Sequence, residues 1–151
     1  MITLYDDLSE NNELEEPGQF DLFKVIITTK VGHVDIKSMV ESFNLYESIF
    51  KTFVTGDITL LDRVGFANTS NITGTEPVYI EFGTKGSTFR IKSSFIVTKI
   101  KNKEKINENT SRYTLSLVAP EMLTDARTKI SRSFDGKYSD MVKDIYTDYL
   151  S

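Results

Sequence analysis

The sequence predicts a mainly β protein: a small antiparallel barrel or sandwich followed by C-terminal helices. Three observations predict it. Short stretches rich in Val, Ile, Phe and Thr alternate apolar with polar residues as far as Val118. Polar connections punctuate them, notably the glycine-bearing 83–87 and the longer 105–111. Beyond Pro120 the apolar residues change to helical spacing. Strands gathered before residue 119 and helices after it divide the chain into a β domain over 19–119 and a helical segment over 120–151. That segment is expected to pack on the barrel or to lead to a further domain.

Residues 1–18 come first and read as a flexible acidic arm. Six acids and no base fall within residues 1–16, and Pro17-Gly18 ends the segment. A first strand is expected over 22–29, a turn at Val31-Gly32 and a partner strand over 33–36. Residues 39–55 fit both periods; 43–47 is taken as a strand, and Gly56 as the break after it. Asp57 to Leu61 forms the next strand, and 63–68 a short helical turn.

Val78, Ile80 and Phe82 alternate with Tyr79 and Glu81, a half-buried strand. The connection 83–87 holds two glycines able to take positive φ. The return strand runs over 88–103 with Phe89, Ile91, Phe95 and Val97 inward. The parity then shifts to Ile100, which predicts a bulge. Tyr113, Leu115 and Leu117 mark the last strand, over 112–118. Pro120 and Glu121 suit a helix start, with Met122, Leu123, Ala126 and Ile130 as its stripe. Ser139 is placed as the cap of a second helix with Met141, Val142, Ile145, Tyr146, Tyr149 and Leu150 on its apolar face. The stripe still runs at Leu150, so this helix is expected to pack on another subunit or to continue into a longer protein.

Composition narrows the chemistry. Of 151 residues, 39% are apolar and 26% charged, ordinary values for a globular domain. The absence of cysteine excludes disulfides, thiol nucleophiles and thiolate metal sites. The single histidine, His33, rules out multi-histidine metal centres and reads as a loop or strand-edge residue. The start lacks the pattern of a secretory signal, and the lack of cysteine agrees with assembly in a reducing cytoplasm. The net charge of −4 sits largely in the first sixteen residues, and no cofactor is implied.

Four carboxylates, Asp57, Asp62, Glu76 and Glu81, offer a pair for glycoside hydrolysis. Asp62 after a strand and Glu76 before Pro77 read instead as residues that anchor turn backbone. Gly83-Thr84-Lys85-Gly86-Ser87 lacks the spacing of a phosphate loop and precedes a strand. Lys99, Lys101, Lys103 and Lys105 recur at period two, which on one strand gives a basic stripe. It would face an acidic partner or nucleic acid, or simply protect a sheet edge.

One ordered series goes beyond this patterning. Leu45-Tyr46-Glu47-Ser48-Ile49-Phe50 leads through Gly56-Asp57-Ile58-Thr59-Leu60-Leu61-Asp62 to Ile72-Thr73-Gly74-Thr75-Glu76 and Val78-Tyr79-Ile80-Glu81-Phe82. Tyr113-Thr114-Leu115-Ser116-Leu117, a short helix, and Ser131-Arg132-Ser133-Phe134 follow. This order resembles the N-terminal part of the baseplate hub proteins of contractile-tailed bacteriophages, over about residues 20–149. The resemblance implies a tail-tube-like β-barrel, with Tyr46, Glu47, Gly56, Asp62, Gly74 and Glu76 as structural motif positions. Related domains occur in tail tubes and in type VI secretion spikes. In that family trimers carrying two tube domains per subunit build a pseudo-sixfold ring between tail tube and central spike. This chain has room for one tube domain, so either a trimer or a hexameric ring is open to it.

The resemblance further implies a non-enzymatic virion component without cofactor or metal. Its partners would be the tail tube protein, the spike and other baseplate proteins, with DNA only in transit through the channel and no membrane anchor. Lys99, Lys101, Lys103, Tyr146 and Tyr149 are the candidate contact residues. The competing readings are a small β-barrel binding module for nucleic acid or an acidic protein, and a glycan-acting enzyme.

Overall fold

The computed structural model describes residues 19–150. The acidic segment 1–18 lies outside the described residues. Seven strands form one antiparallel sheet: β1 (Phe20–Thr29), β2 (Gly32–Asp35), β3 (Val40–Tyr46), β4 (Thr55–Asp62), β5 (Pro77–Thr84), β6 (Ile91–Asn107) and β7 (Thr110–Val118). Their order across the sheet is β2-β1-β5-β6-β7-β4-β3.

The two edge strands are neighbours in sequence. Only Ile36 and the 3-10 turn Lys37–Met39 join β2 to β3, a span of at most ~18 Å. A flat seven-strand sheet would hold its edges about 29 Å apart. The sheet therefore rolls up. Phe43 of β3 closes the roll by meeting Phe82 of β5 at 5.4 Å and Phe20 of β1 at 6.2 Å, both edge-on. Ile36 N–H donates to the Val25 carbonyl at 2.8 Å and pins the crossing.

Alternation places one face of each central strand inside. Val25, Ile27, Ile58, Leu60, Val78, Ile80, Phe95, Val97, Tyr113, Leu115 and Leu117 make the core, with Ile36 and Phe66. Each such burial contributes roughly 1.5–3 kcal/mol. The predicted parity change is present: Val97 pairs with Leu117 but Lys99 with Ser116, leaving Thr98 unpaired in a bulge.

Several expectations are corrected. Gly56 does not break a strand; it lies buried inside β4 opposite Leu45. A Cβ there would sit 2.8 Å from the Asn44 carbonyl and 2.9 Å from Leu45 Cδ2, so glycine permits the close approach of β3. Gly83 is extended within β5, since a Cβ would lie 2.6 Å from the Phe89 carbonyl; only Gly86 of that connection has positive φ. Phe89 and Ile91 are not inward but 72% and 42% exposed, since Phe89 precedes β6 and Ile91 is its first residue. The second hairpin is tighter than 105–111, as β6 runs to Asn107 and β7 begins at Thr110.

A short helix, α1 (Phe66–Thr69), follows β4. Past the sheet come α2 (Glu121–Arg127), α3 (Tyr138–Ile145) and a π-helical turn, Tyr146–Leu150. Ile130 falls outside α2 and Ser139 inside α3, whose N-cap position is Lys137 without a side-chain cap. Neither α2 nor α3 contributes a buried residue. Among the described residues no helix is long and apolar enough to cross a membrane.

Candidate assembly surface

Two of the three motif carboxylates, Asp62 and Glu76, staple loops. Asp62, at the end of β4, accepts hydrogen bonds from Val64, Phe66 and Ala67 N–H at 2.9–3.0 Å, holding the turn into α1. The Tyr113 hydroxyl donates to it from β7 at 3.4 Å. Burial alone would raise the Asp62 carboxyl, but these N–H groups outweigh it and hold it below its ordinary value. Burial and the neighbouring Asp62 charge push the Tyr113 hydroxyl up, so it stays protonated and donating.

Glu76 does the same for the loop before β5. One oxygen accepts from Thr73 N–H and Oγ1 at 2.6 and 2.8 Å, the other from Gly74 and Thr75 N–H at 2.8 and 3.0 Å. Burial pulls its pKa upward, yet the Thr73 and Gly74 donors prevail and hold it at about 2. Gly74 takes φ +96° beside the Thr98 carbonyl, where a Cβ would stand 2.9 Å away, and Val97 N–H donates to the Glu76 carbonyl. The loop is thereby laid against the β6 bulge.

The other two acids are also engaged. Asp57 accepts from Ser116 Oγ at 3.0 Å and pairs with Lys101 at 2.8 Å. Glu81, buried, pairs with Arg90 at 3.0 Å, which with Lys92 and Lys24 keeps its carboxyl below the usual range. Arg90 also stacks on Phe23, 4.1 Å from the ring centre. A glycosidase acid must hold its proton near neutral pH; the shifts at Asp62, Glu76 and Glu81 run the opposite way. No group of acids and histidine suited to a metal occurs among the described residues. His33 stands exposed in β2, its Nδ1 2.9 Å from Thr28 Oγ1.

The lysines do not form one stripe. Lys99 and Lys101 lie opposite Ser116 and Thr114, on the face away from the core. A second bulge, with Asn102 at φ +53°, intervenes before Glu104, and Lys105 then lies opposite Ser111 on the other face. Lys103 instead borders a polar recess of about 400 Å³ beside Asp62 and Ser111. On the outer face Arg112 clamps Glu41 of β3 through two 2.7 Å hydrogen bonds.

Apolar surface gathers elsewhere. Tyr46 ends β3, half exposed beside exposed Glu47, and the loop beyond presents Ile49 and Phe50, 95% and 92% exposed. Tyr138, Val142 and Tyr146 line an exposed side of α3 and the turn after it. Tyr149 turns inward, its ring 5.9 Å from the Arg132 guanidinium, which also caps Phe134 at 4.4 Å and bonds Asp148 at 2.8 Å. Of the candidate contact residues, Tyr146 is thus presented outward, whereas Tyr149 and Lys101 are engaged within the chain. The Ile49-Phe50 tip went unnoticed in the sequence because two apolar residues in a short loop carry no periodic signal. No protein-family model matches the chain, and no curated protein is significantly similar to it.

Proposed function

We propose that this chain is a structural subunit of a phage-type contractile tail, one tube-like β domain in a baseplate hub ring that joins the tail tube to the central spike and leaves a channel for DNA. The observation that carries the reading is the free edge of β3. Residues 42–46 pair with β4 on one side and, among the described residues, with no strand on the other. They hold no lysine or proline, devices that keep an exposed edge from pairing, and the register shift of β3 lies at its start, between Val40 and Ser42. An edge of this kind accepts a strand from a neighbouring subunit.

Two further points support it. The ordered series of motifs over about residues 20–149 resembles hub proteins, and the rolled antiparallel sheet is the fold class that resemblance implies. Asp62 and Glu76, two of the three acids at motif positions, serve as loop staples, the work of a scaffold. Homo-oligomerisation, contacts with tube, spike and baseplate proteins, and assembly in the host cytoplasm into the virion tail belong to the same proposal. The test is native mass spectrometry with electron microscopy of the purified chain. Rings of three or six copies around an open channel support it. A strict monomer, also with tail proteins present, overturns it and favours a small binding module for an acidic protein or nucleic acid.

A further inference from the structure

The loop between β3 and β4 is a fixed knob. Lys51 N–H donates to the Ser48 carbonyl at 3.0 Å and Phe50 N–H to Ser48 Oγ at 3.3 Å, so the tip is a hydrogen-bonded turn. From it Ile49 and Phe50 project side by side into solvent, followed by the exposed Lys51. Single exposed apolar residues are ordinary. Two adjacent ones on a turn already ordered are presented for burial with little further loss of freedom.

A groove of about 440 Å³ lies nearby, walled by Phe53, Ile130, Ile145 and Tyr146 and by the α2 residues Glu121 and Asp125. The two acids are four residues apart and so share one side of α2. Both are exposed. The groove thus offers apolar walls next to two carboxylates, and the knob offers an apolar pair next to an ammonium. The knob stands in solvent and its loop also supplies Phe53 to the groove wall, so among the described residues the knob does not fill the groove.

We infer that the 49–51 knob of one copy seats in this groove of the next copy. Ile49 and Phe50 lie against Phe53, Ile130, Ile145 and Tyr146, and Lys51 faces Glu121 and Asp125. The occupant is a second copy because the knob matches the groove in both polarity and charge. Knob and groove are different patches, so the contact is heterologous and repeats head to tail. The inference rests on the reading of the chain as a ring subunit and adds which surfaces meet.

The test measures the mass of the full chain by native mass spectrometry and its self-association by sedimentation. Ile49→Asp with Phe50→Asp changes only solvent-exposed side chains, and an unaltered thermal melt verifies the fold. This double variant is expected to be monomeric where wild type is oligomeric. Lys51→Glu and Asp125→Lys are each expected to weaken association about tenfold, and the two together to restore it. Oligomers that survive the double aspartate variant, or single charge reversals without mutual rescue, overturn the knob-and-groove contact while leaving the ring reading standing. A wild-type chain that never associates, or one that binds only a foreign peptide in the groove, overturns both.

Discussion

Glu76 is the most demanding test of the stapling argument. Its carboxylate accepts four hydrogen bonds, three from backbone N–H and one from the Thr73 hydroxyl. Glu76→Gln keeps the shape but removes the charge and turns an NH2 group toward at least one N–H donor. A pKa held at about 2 against an ordinary 4.5 corresponds to about 3 kcal/mol of preference for the ionised form. Four charged hydrogen bonds counted separately would give roughly twice that or more. The smaller figure is preferred because Thr73 and Thr75 are exposed, so water replaces part of what is lost. The sign follows from linkage: a depressed carboxylate stabilises fully above pH 4.5, and that stability is lost as pH falls toward about 2. Urea unfolding at pH 7 is therefore expected to show the variant less stable by about 3 kcal/mol, equivalent to roughly 9 °C in Tm for a chain of this size. The gap should close between pH 4.5 and 2. Comparing variant with wild type at each pH cancels the other acids. A gap under 1 kcal/mol at pH 7, or one unchanged at pH 2.5, would refute the assignment.

Three further outcomes are expected. Gly56→Ala forces a Cβ to within 2.8 Å of the Asn44 carbonyl and should cost about 1–3 kcal/mol, read from chemical denaturation; an unchanged midpoint would show that β3 moves freely. Tyr113→Phe removes the hydroxyl that reaches Asp62 at 3.4 Å, a long bond, so the loss should be about 1 kcal/mol or less in the same assay; a loss above 3 kcal/mol would mean that Asp62 depends on it more than on α1. Arg132→Ala cuts the ties to Asp144, Asp148 and Phe134, and hydrogen exchange should accelerate in α3 while β4–β7 stays protected; equal acceleration in the sheet would show that the helices brace the barrel.

What the sequence disclosed was what local pattern encodes. The switch from Phe95 and Val97 to Ile100 announced the β6 bulge, because only an extra residue lets both sets face one core. The loop roles of Asp62 and Glu76 were legible because short-range backbone donors lie within five residues of each. Gly56 was misread because its cause is a carbonyl across the sheet, invisible along the chain. The lysine stripe failed at Asn102, whose φ of +53° inverts the parity; asparagine is the residue type that could have signalled it. Rolling of the sheet was legible only as one of two alternatives, barrel or sandwich, because it follows from strand order combined with the short link between β2 and β3.

A knob in an apolar groove does not by itself make a ring. Apolar contact is non-directional, so a subunit held only by Ile49 and Phe50 is free to swivel, and a head-to-tail contact that swivels grows open filaments as readily as closed rings. Closure needs a second contact that fixes rotation. The free edge of β3 ends at Tyr46, three residues before Ile49, so strand pairing and knob insertion would start from adjacent points of one surface. Hydrogen bonds along residues 42–46 are directional and set an angle; the knob supplies buried area. The two contacts together are what a ring of defined symmetry requires. Disabling them separately should give different products. Loss of the knob should give monomers, whereas a lysine at Asn44, exposed on β3, should leave association intact but turn rings into irregular chains under the electron microscope. Rings that persist with lysine there would mean that the β3 edge takes no part in setting the angle.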